Sequence, residues 1–441
     1  MNDIENVQPE PQDTPVPQET PPSPAYQEPI RVYVPAQEPP RRRSWLPVVG
    51  GLVAGAVFGA AAGGIGGFVV AQNASGSGQA GASPTSPQTI TVNDLDDVNV
   101  ITAVAASAID SVVTLAVSAE GVGSGTGSGV VLNSDGYIVT NTHVVTLGGA
   151  TADPVIRVTT SAGRVYDAKL IGTDPLLDLA VIQVEGASEL VPIEFADSSE
   201  LNVGDVTIAI GSPLGYAGTV TSGIVSAIDR SIQVQSSAAP EEDSTASDGG
   251  GSENPFDNFR FDLPGVTTTP SRGTIQIPVV QTDTAINPGN SGGALLDASG
   301  RLIGINVAIA GSTGGNVGVG FAIPSNVVAR ISSELIENGV ATHGLLGVTV
   351  VNVASDPAQA DADIIGASIQ SVVDGSGAAE AGLKIGDIIV SFDGIPITSR
   401  NDLTAQVRTR AIGDVVDVVY VRGGQSHTVS VTLGDLNTLP Q

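Results

Sequence analysis

The sequence predicts a mostly β protein with two folded units in succession, preceded by a polar tail and one transmembrane helix. Three observations predict it. Aromatic residues make up 3% of 441 positions while glycine reaches 55, and such small side chains with many tight turns favour sheets over helical bundles. Short β-like runs separated by turn residues fill the chain from about residue 100 to 323 and again from Leu345 to Leu433, with only isolated helical stretches between them. Leu46 to Ala71 carries no charge over 26 residues, more than the roughly 20 that a bilayer core requires.

Residues 1–45 are rich in proline, hold seven acids and lack apolar periodicity, the pattern of a disordered tail. The apolar run at 46–71 exceeds the h-region of a signal peptide and follows a long tail, so it reads as a retained anchor. Arg31, Arg41, Arg42 and Arg43 precede it and no Lys or Arg follows until Arg157. The positive-inside rule therefore puts the tail in the cytoplasm and everything after Ala71 outside. Gly51, Gly55, Gly59, Gly63 and Gly67 recur every fourth position, a spacing that lets helices approach closely. Residues 72–90 form a Gly, Ser and Pro-rich tether. The first folded unit spans 91–340. Within it, residues 236–270 carry seven acids against Arg260 and read as a long mobile surface loop. A helix is expected over Ser325 to about Asn338, capped by Ser325 and Gly339. The second unit, 341–435, has one clear helix from Arg400 to about Ala411, with Ser399 and Asp402 resembling a capping box.

Charge and rare residues bound the function. Lys and Arg total 17 against 46 Asp and Glu, a net charge of −29, which disfavours nucleic-acid partners. No cysteine is present, which excludes disulfides, a thiol nucleophile and cysteine zinc sites without fixing the compartment. No metal constellation is visible and the chemistry below needs no cofactor. The histidines are His143, His343 and His427.

Gly289-Asn290-Ser291-Gly292-Gly293 is the sole Gly-x-Ser-x-Gly in the chain. Glycines beside a serine let backbone amides approach a reacting carbonyl. The residues after it, Ala294 to Asp297, then Ser299-Gly300, then Leu302 to Ile305, read as a hairpin. An α/β-hydrolase elbow would need a helix there, with its acid and histidine downstream. The opposite order, histidine before aspartate before serine, fits. His143 follows a strand that ends just before it. Asp178 lies in Leu176-Leu177-Asp178-Leu179-Ala180, where apolar neighbours predict a buried carboxylate that needs a partner. An imidazole N–H supplies one and fixes the tautomer.

Thr140-Asn141-Thr142-His143-Val144-Val145, Asp178-Leu179-Ala180-Val181 and Thr282 through Leu295 resemble the HtrA/Deg family of trypsin-like serine proteases, over about residues 100–435. The resemblance implies a chymotrypsin-like double β-barrel, with Ser291 as nucleophile, His143 as general base and then acid, and Asp178 as the orienting carboxylate. The amides of Gly289, Asn290 and Ser291 would form the oxyanion hole. Gly375 to Ile389 resembles a PDZ domain of this family, except that proline is usual near Gly377, so a looser turn is expected there. Leu345-Leu346-Gly347-Val348 resembles its carboxylate-binding loop, whose amides would cap a peptide C-terminus as the next strand pairs with the peptide. Ala285, six residues before the serine, falls at the S1 floor by the same resemblance. Neither it nor Ile303 to Ile323 supplies an acid, so small or medium apolar P1 residues are expected.

These readings converge on a membrane-tethered extracytoplasmic endopeptidase for unfolded or damaged proteins, working in protein quality control and the stress response. The resemblance further implies PDZ regulation and a homotrimer. Two other readings remain open on sequence alone: a narrow regulatory protease that cuts one membrane partner, and a non-catalytic chaperone or PDZ scaffold.

Overall fold

The computed structural model describes residues 99–187, 189–212, 218–238, 274–307 and 318–435. The expected tail, anchor and tether, at 1–45, 46–71 and 72–90, lie outside the described residues, as does most of 236–270. Among the described residues no helix is long and apolar enough to cross a membrane.

Two six-stranded closed barrels follow a short helix, α1 (Val100–Ala108). The Asn99 side chain caps α1 by accepting from the Thr102 N–H at 2.9 Å. The first barrel holds β1 (Val112–Ala119), β2 (Gly123–Val131), β3 (Tyr137–Thr140), β4 (Val155–Thr159), β5 (Val165–Asp174) and β6 (Leu179–Val184), in the order β1-β2-β3-β6-β5-β4. The second holds β7 (Val206–Gly211), β8 (Thr219–Gln235), β9 (Thr274–Thr282), β10 (Ala294–Leu296), β11 (Leu302–Val307) and β12 (Gly320–Pro324), in the order β10-β11-β12-β9-β8-β7. Alternating β-branched residues explain β4, where Ile156 and Val158 point inward and Val155 and Arg157 outward. Strand β11 is buried along its whole length, as its apolar run requires. In the first barrel, a one-turn helix, α2 (Thr142–Val145), follows β3.

Leu115, Ile138, Val158 and Ile182 fill the first barrel. A second cluster joins the barrels: Val130, Val139 and Leu179 pack with Ile208, Ile210, Leu296 and Ile305. Each such side chain contributes about 1.5–3 kcal/mol on burial. The seam between the barrels is therefore apolar and close-packed, and the polar site residues sit along it.

Helix α3 covers Ser325–Asn338, matching the sequence expectation in extent. Gly339 ends it in the left-handed region at φ 75°. Its start differs from expectation. Ser325 lies inside the helix and its Oγ donates to the Ala196 carbonyl at 2.7 Å. Ser325 thus serves a tertiary contact and caps nothing.

The second unit contains β13 (Gly344–Leu345), β14 (Val348–Asn352), β15 (Ala367–Val372), α4 (Gly377–Glu380), β16 (Ile388–Phe392), β17 (Ile395–Pro396), α5 (Arg400–Arg408), β18 (Val415–Arg422), β19 (Gln425–Thr432) and β20 (Gly434–Asp435). Its main sheet runs β14-β15-β16-β18-β19, with β17 paired to β16, over a core that includes Phe392 and Leu403. Helix α5 ends three residues earlier than the sequence pattern indicated. Its N-cap is as expected: Ser399 Oγ accepts from the Asp402 N–H at 3.2 Å. The looser turn expected at Gly377 is absent. Ser376 caps α4 by accepting from the Ala379 N–H at 3.3 Å, and a Cβ at 377 would stand 1.9 Å from the Thr432 carbonyl oxygen. Close backbone approach, and not slack, accounts for the glycine.

Candidate active site

Strand β3 ends at Thr140 and delivers His143 on the one-turn helix α2, where the residue is 2% exposed. Asp178 sits in the turn between β5 and β6, fully buried, at φ 54°. Aspartate tolerates this left-handed conformation better than most residues. The neighbouring backbone holds it there: the Asp178 carbonyl accepts from the Thr142 N–H at 3.2 Å and from Asn141 Nδ2 at 3.0 Å. The Asp178 carboxylate in turn meets His143 twice. Oδ1 accepts from the His143 backbone N–H at 2.9 Å, and Oδ2 lies 2.7 Å from Nδ1. A carboxylate can only accept, so Nδ1 carries the proton and Nε2 is the basic nitrogen.

The Gly289 to Gly293 turn leads into β10. Ser291 is 5% exposed and its carbonyl accepts from the Ser128 N–H at 2.8 Å. Ser128 Oγ donates to the Gly289 carbonyl at 2.7 Å, and the Ser128 carbonyl accepts from Thr140 Oγ1 at 2.7 Å. One residue of the first barrel thus bridges the serine turn and the strand that leads to His143. On the other side, the Gly292 N–H donates to the Asn306 carbonyl of β11 at 3.0 Å. Gly292 has φ 78°, and a Cβ there would lie 2.2 Å from the Ser128 carbonyl oxygen and 2.3 Å from Thr140 Oγ1.

The three amides expected for an oxyanion differ in standing. The Asn290 N–H donates to the Asn287 carbonyl at 2.9 Å, closing the turn. That engagement sets the Asn290 amide apart from the expected oxyanion set. The Ala285 carbonyl accepts from Thr221 Oγ1 at 3.0 Å, which ties the expected S1 floor to β8.

Ser237 escaped the sequence reading, because it opens the segment read as a surface loop. It is 1% exposed, and its Oγ donates to Asp178 Oδ1 at 3.1 Å. Its carbonyl accepts from Thr146 Oγ1 at 3.1 Å. Ser128 was also missed, and the glycine alternation of Gly125-Thr126-Gly127-Ser128-Gly129 was the available signal. A Cβ at Gly127 would stand 2.6 Å from a Val144 methyl, so the strand is small-residued where the histidine turn crosses it.

In the second unit, Leu345, Leu346, Gly347 and Val348 come together as expected. They line a groove of about 120 Å³ with Val350, Leu403, Thr404, Val407 and Arg408. The groove runs between β14 and α5, with apolar walls suited to an extended peptide beside an exposed strand edge. Among the described residues no group of three or more His, Cys, Asp or Glu could hold a metal ion.

Two closed barrels with a His–Asp pair and a glycine-flanked serine at their seam define a trypsin-like serine peptidase, here joined to a PDZ domain. Family models agree: the trypsin-like peptidase domain matches residues 127–305 and the PDZ domain matches 344–433. The periplasmic serine endoprotease DegP of Escherichia coli K12 is 43% identical over 311 residues, which cover 70% of this chain and 56% of DegP. The serine protease PepD of Mycobacterium tuberculosis is 39% identical over 343 residues, covering 75% of this chain and 65% of PepD. The HtrA-type protease AlgW, solved with a tripeptide, is 33% identical with a TM-score of 0.52, covering 76% of this chain and 96% of that one. The chain belongs to the HtrA-type family of trypsin-like serine proteases. It spans little more than half the length of DegP.

Proposed function

We propose that this chain is a serine endopeptidase that degrades unfolded or damaged proteins outside the cytoplasm. The observation that carries the reading is the buried 2.7 Å contact between His143 Nδ1 and Asp178 Oδ2, on a first barrel whose Ser128 binds the Gly289 to Gly293 turn. His143 Nε2 takes the Ser291 proton as Oγ attacks the scissile carbonyl, and Asp178 stabilises the imidazolium that forms. The amides of Gly289 and Ser291 hold the oxyanion of the tetrahedral intermediate, each donor worth about 10²–10³ in rate. The imidazolium then protonates the leaving amine, and water hydrolyses the acyl-enzyme by the same steps. Ala285, with no acid beside it, favours small or medium apolar P1 side chains.

The PDZ groove takes peptide C-termini and regulates the protease. The span at 46–71 tethers the body to the membrane, with the N-terminus cytoplasmic, and the working assembly is a homotrimer. The periplasmic name of the DegP relative supports the extracytoplasmic placement. The test is degradation of unfolded casein by the wild type and by Ser291→Ala. Casein should be degraded by the wild type, and Ser291→Ala should lower the rate by at least about 10³-fold. Undiminished degradation by the variant overturns the assignment. Cleavage of a single partner with casein untouched would replace general degradation by a narrow regulatory role.

A further inference from the structure

His343 lies between α3 and β13, 6% exposed, and the catalytic scheme above does not use it. Its ring faces two acceptors. Nδ1 is 2.8 Å from the carbonyl oxygen of Arg408, the last residue of α5, and Nε2 is 3.0 Å from Asp174 Oδ1 at the end of β5. A neutral imidazole has one N–H and can serve one of them, whereas the imidazolium serves both.

Asp174 already accepts from the Leu176 N–H through Oδ1 at 3.1 Å. It is 3% exposed, and its Oδ2 has no hydrogen-bond partner among the described residues. A carboxylate so placed needs a cation. Its backbone belongs to the catalytic turn. The Asp174 carbonyl accepts from Thr142 Oγ1 at 3.2 Å, beside His143, and Asp178 follows four residues later. At the other end, Arg408 lines the PDZ groove.

We propose that His343 is a positioning residue whose imidazolium ties the end of the PDZ helix to the turn that carries Asp178, so that catalytic geometry depends on a proton held between the two domains. The inference rests on the hydrolytic reading of Ser291, His143 and Asp178. When pH rises and the second ring proton leaves, one of the two bonds becomes a contact between lone pairs.

The other charged groups around His343 form a fixed frame. Arg330 of α3 donates to the Thr342 carbonyl at 3.0 Å, to the Arg408 carbonyl at 3.4 Å and to Glu334 at 2.7 Å. Glu334 accepts from the Thr342 N–H at 2.6 Å. The half-buried Arg408 guanidinium is pushed below its ordinary range by burial, against the opposing field of Asp174.

With three histidines in the chain, ring-nitrogen NMR on ¹⁵N-histidine-labelled full-length protein is assignable, and the Ser291→Ala background prevents self-digestion. The expected result at pH 6 is protons on both ring nitrogens of His343. A single protonated nitrogen at that pH overturns the proposal. The second arm measures kcat and KM on labelled casein across about pH 5–9 with an active Ser291. His343→Gln is expected to lower kcat on the order of tenfold at pH 7 with KM unchanged, and to flatten the alkaline limb of the profile. His343→Lys, cationic throughout, should restore kcat without that limb. An unchanged kcat and a superimposable profile for His343→Gln overturn the positioning role. Should that variant fail to fold, Asp174→Asn is read by NMR: His343 should give up its second proton at lower pH, and an unmoved titration counts against the proposal. Casein cleavage by Ser291→Ala would instead overturn the hydrolytic reading and leave the ring-proton result standing.

Discussion

Asp178 concentrates the residue-scale argument, because five contacts hold it in a conformation that L residues seldom adopt. Its carbonyl is held by Thr142 and Asn141, and its carboxylate by the His143 amide and ring and by Ser237. Removing the Ser237 hydroxyl leaves Oδ1 with one fewer donor and lets the carboxylate drift from the imidazole. Ser237→Ala should lower kcat roughly tenfold, the equivalent of ~1.4 kcal/mol, with KM unchanged. Steady-state kinetics on a fluorogenic peptide checks this, and an unchanged kcat would show that Ser237 does not position Asp178. His143, Asp178 and Ser291 were legible in the sequence because each sits in a short motif whose local chemistry is its own signature. Ser237 and Ser128 were not, because their partners lie 59 and 161 positions away and nothing local marks a serine whose hydroxyl is used at such distance. The turn bond from the Asn290 N–H to Asn287 was not legible either, because adjacency in a motif does not say which amide a turn engages.

At the scale of elements, the serine turn and the PDZ groove carry the predictions. Gly292 is pinched between Ser128 and Thr140 and has a positive φ. Gly292→Ala should therefore cut activity by at least about a hundredfold through misplacement of Ser291. It should also lower the melting temperature, read by differential scanning fluorimetry. For the groove, fluorescence anisotropy with a peptide ending in a free apolar residue should show binding. Amidation of its C-terminus should weaken that binding at least about tenfold, since the role proposed for the loop at Leu345 to Val348 is to cap a carboxylate. Equal affinity for both forms would contradict the capping role. Helices were legible where termination is chemical, as at Gly339 and Ser399. They were less so where an end is decided by tertiary contact: Ser325 is drawn to Ala196, and α5 stops at Arg408, whose carbonyl bonds to His343.

For the molecule as a whole, the architecture was legible because the two strand-rich units and their family motifs occupy separate stretches of chain. The His343 contact was not, since it joins residues 169 positions apart across two domains. Stability should respond to acid through the PDZ unit. Bonds from Ser368 Oγ first, then the Ala358 N–H and Gln370, hold the Asp356 carboxyl below its ordinary range. A lowered folded value stabilises above the unfolded one and is lost as pH falls through the folded one. The stability advantage of wild type over Asp356→Asn, measured by urea unfolding, should thus be full at about pH 6 and shrink below about pH 4. A gap that stays constant down to pH 2 would contradict this.

The central claim is that Ser291 is a nucleophile activated by His143. Its most direct test is covalent labelling with a serine-directed fluorophosphonate, followed by peptide mass spectrometry. The account predicts one adduct, on Ser291, that disappears when His143 is replaced by alanine. No adduct on Ser291, or labelling of Ser291 that is indifferent to His143, would contradict it.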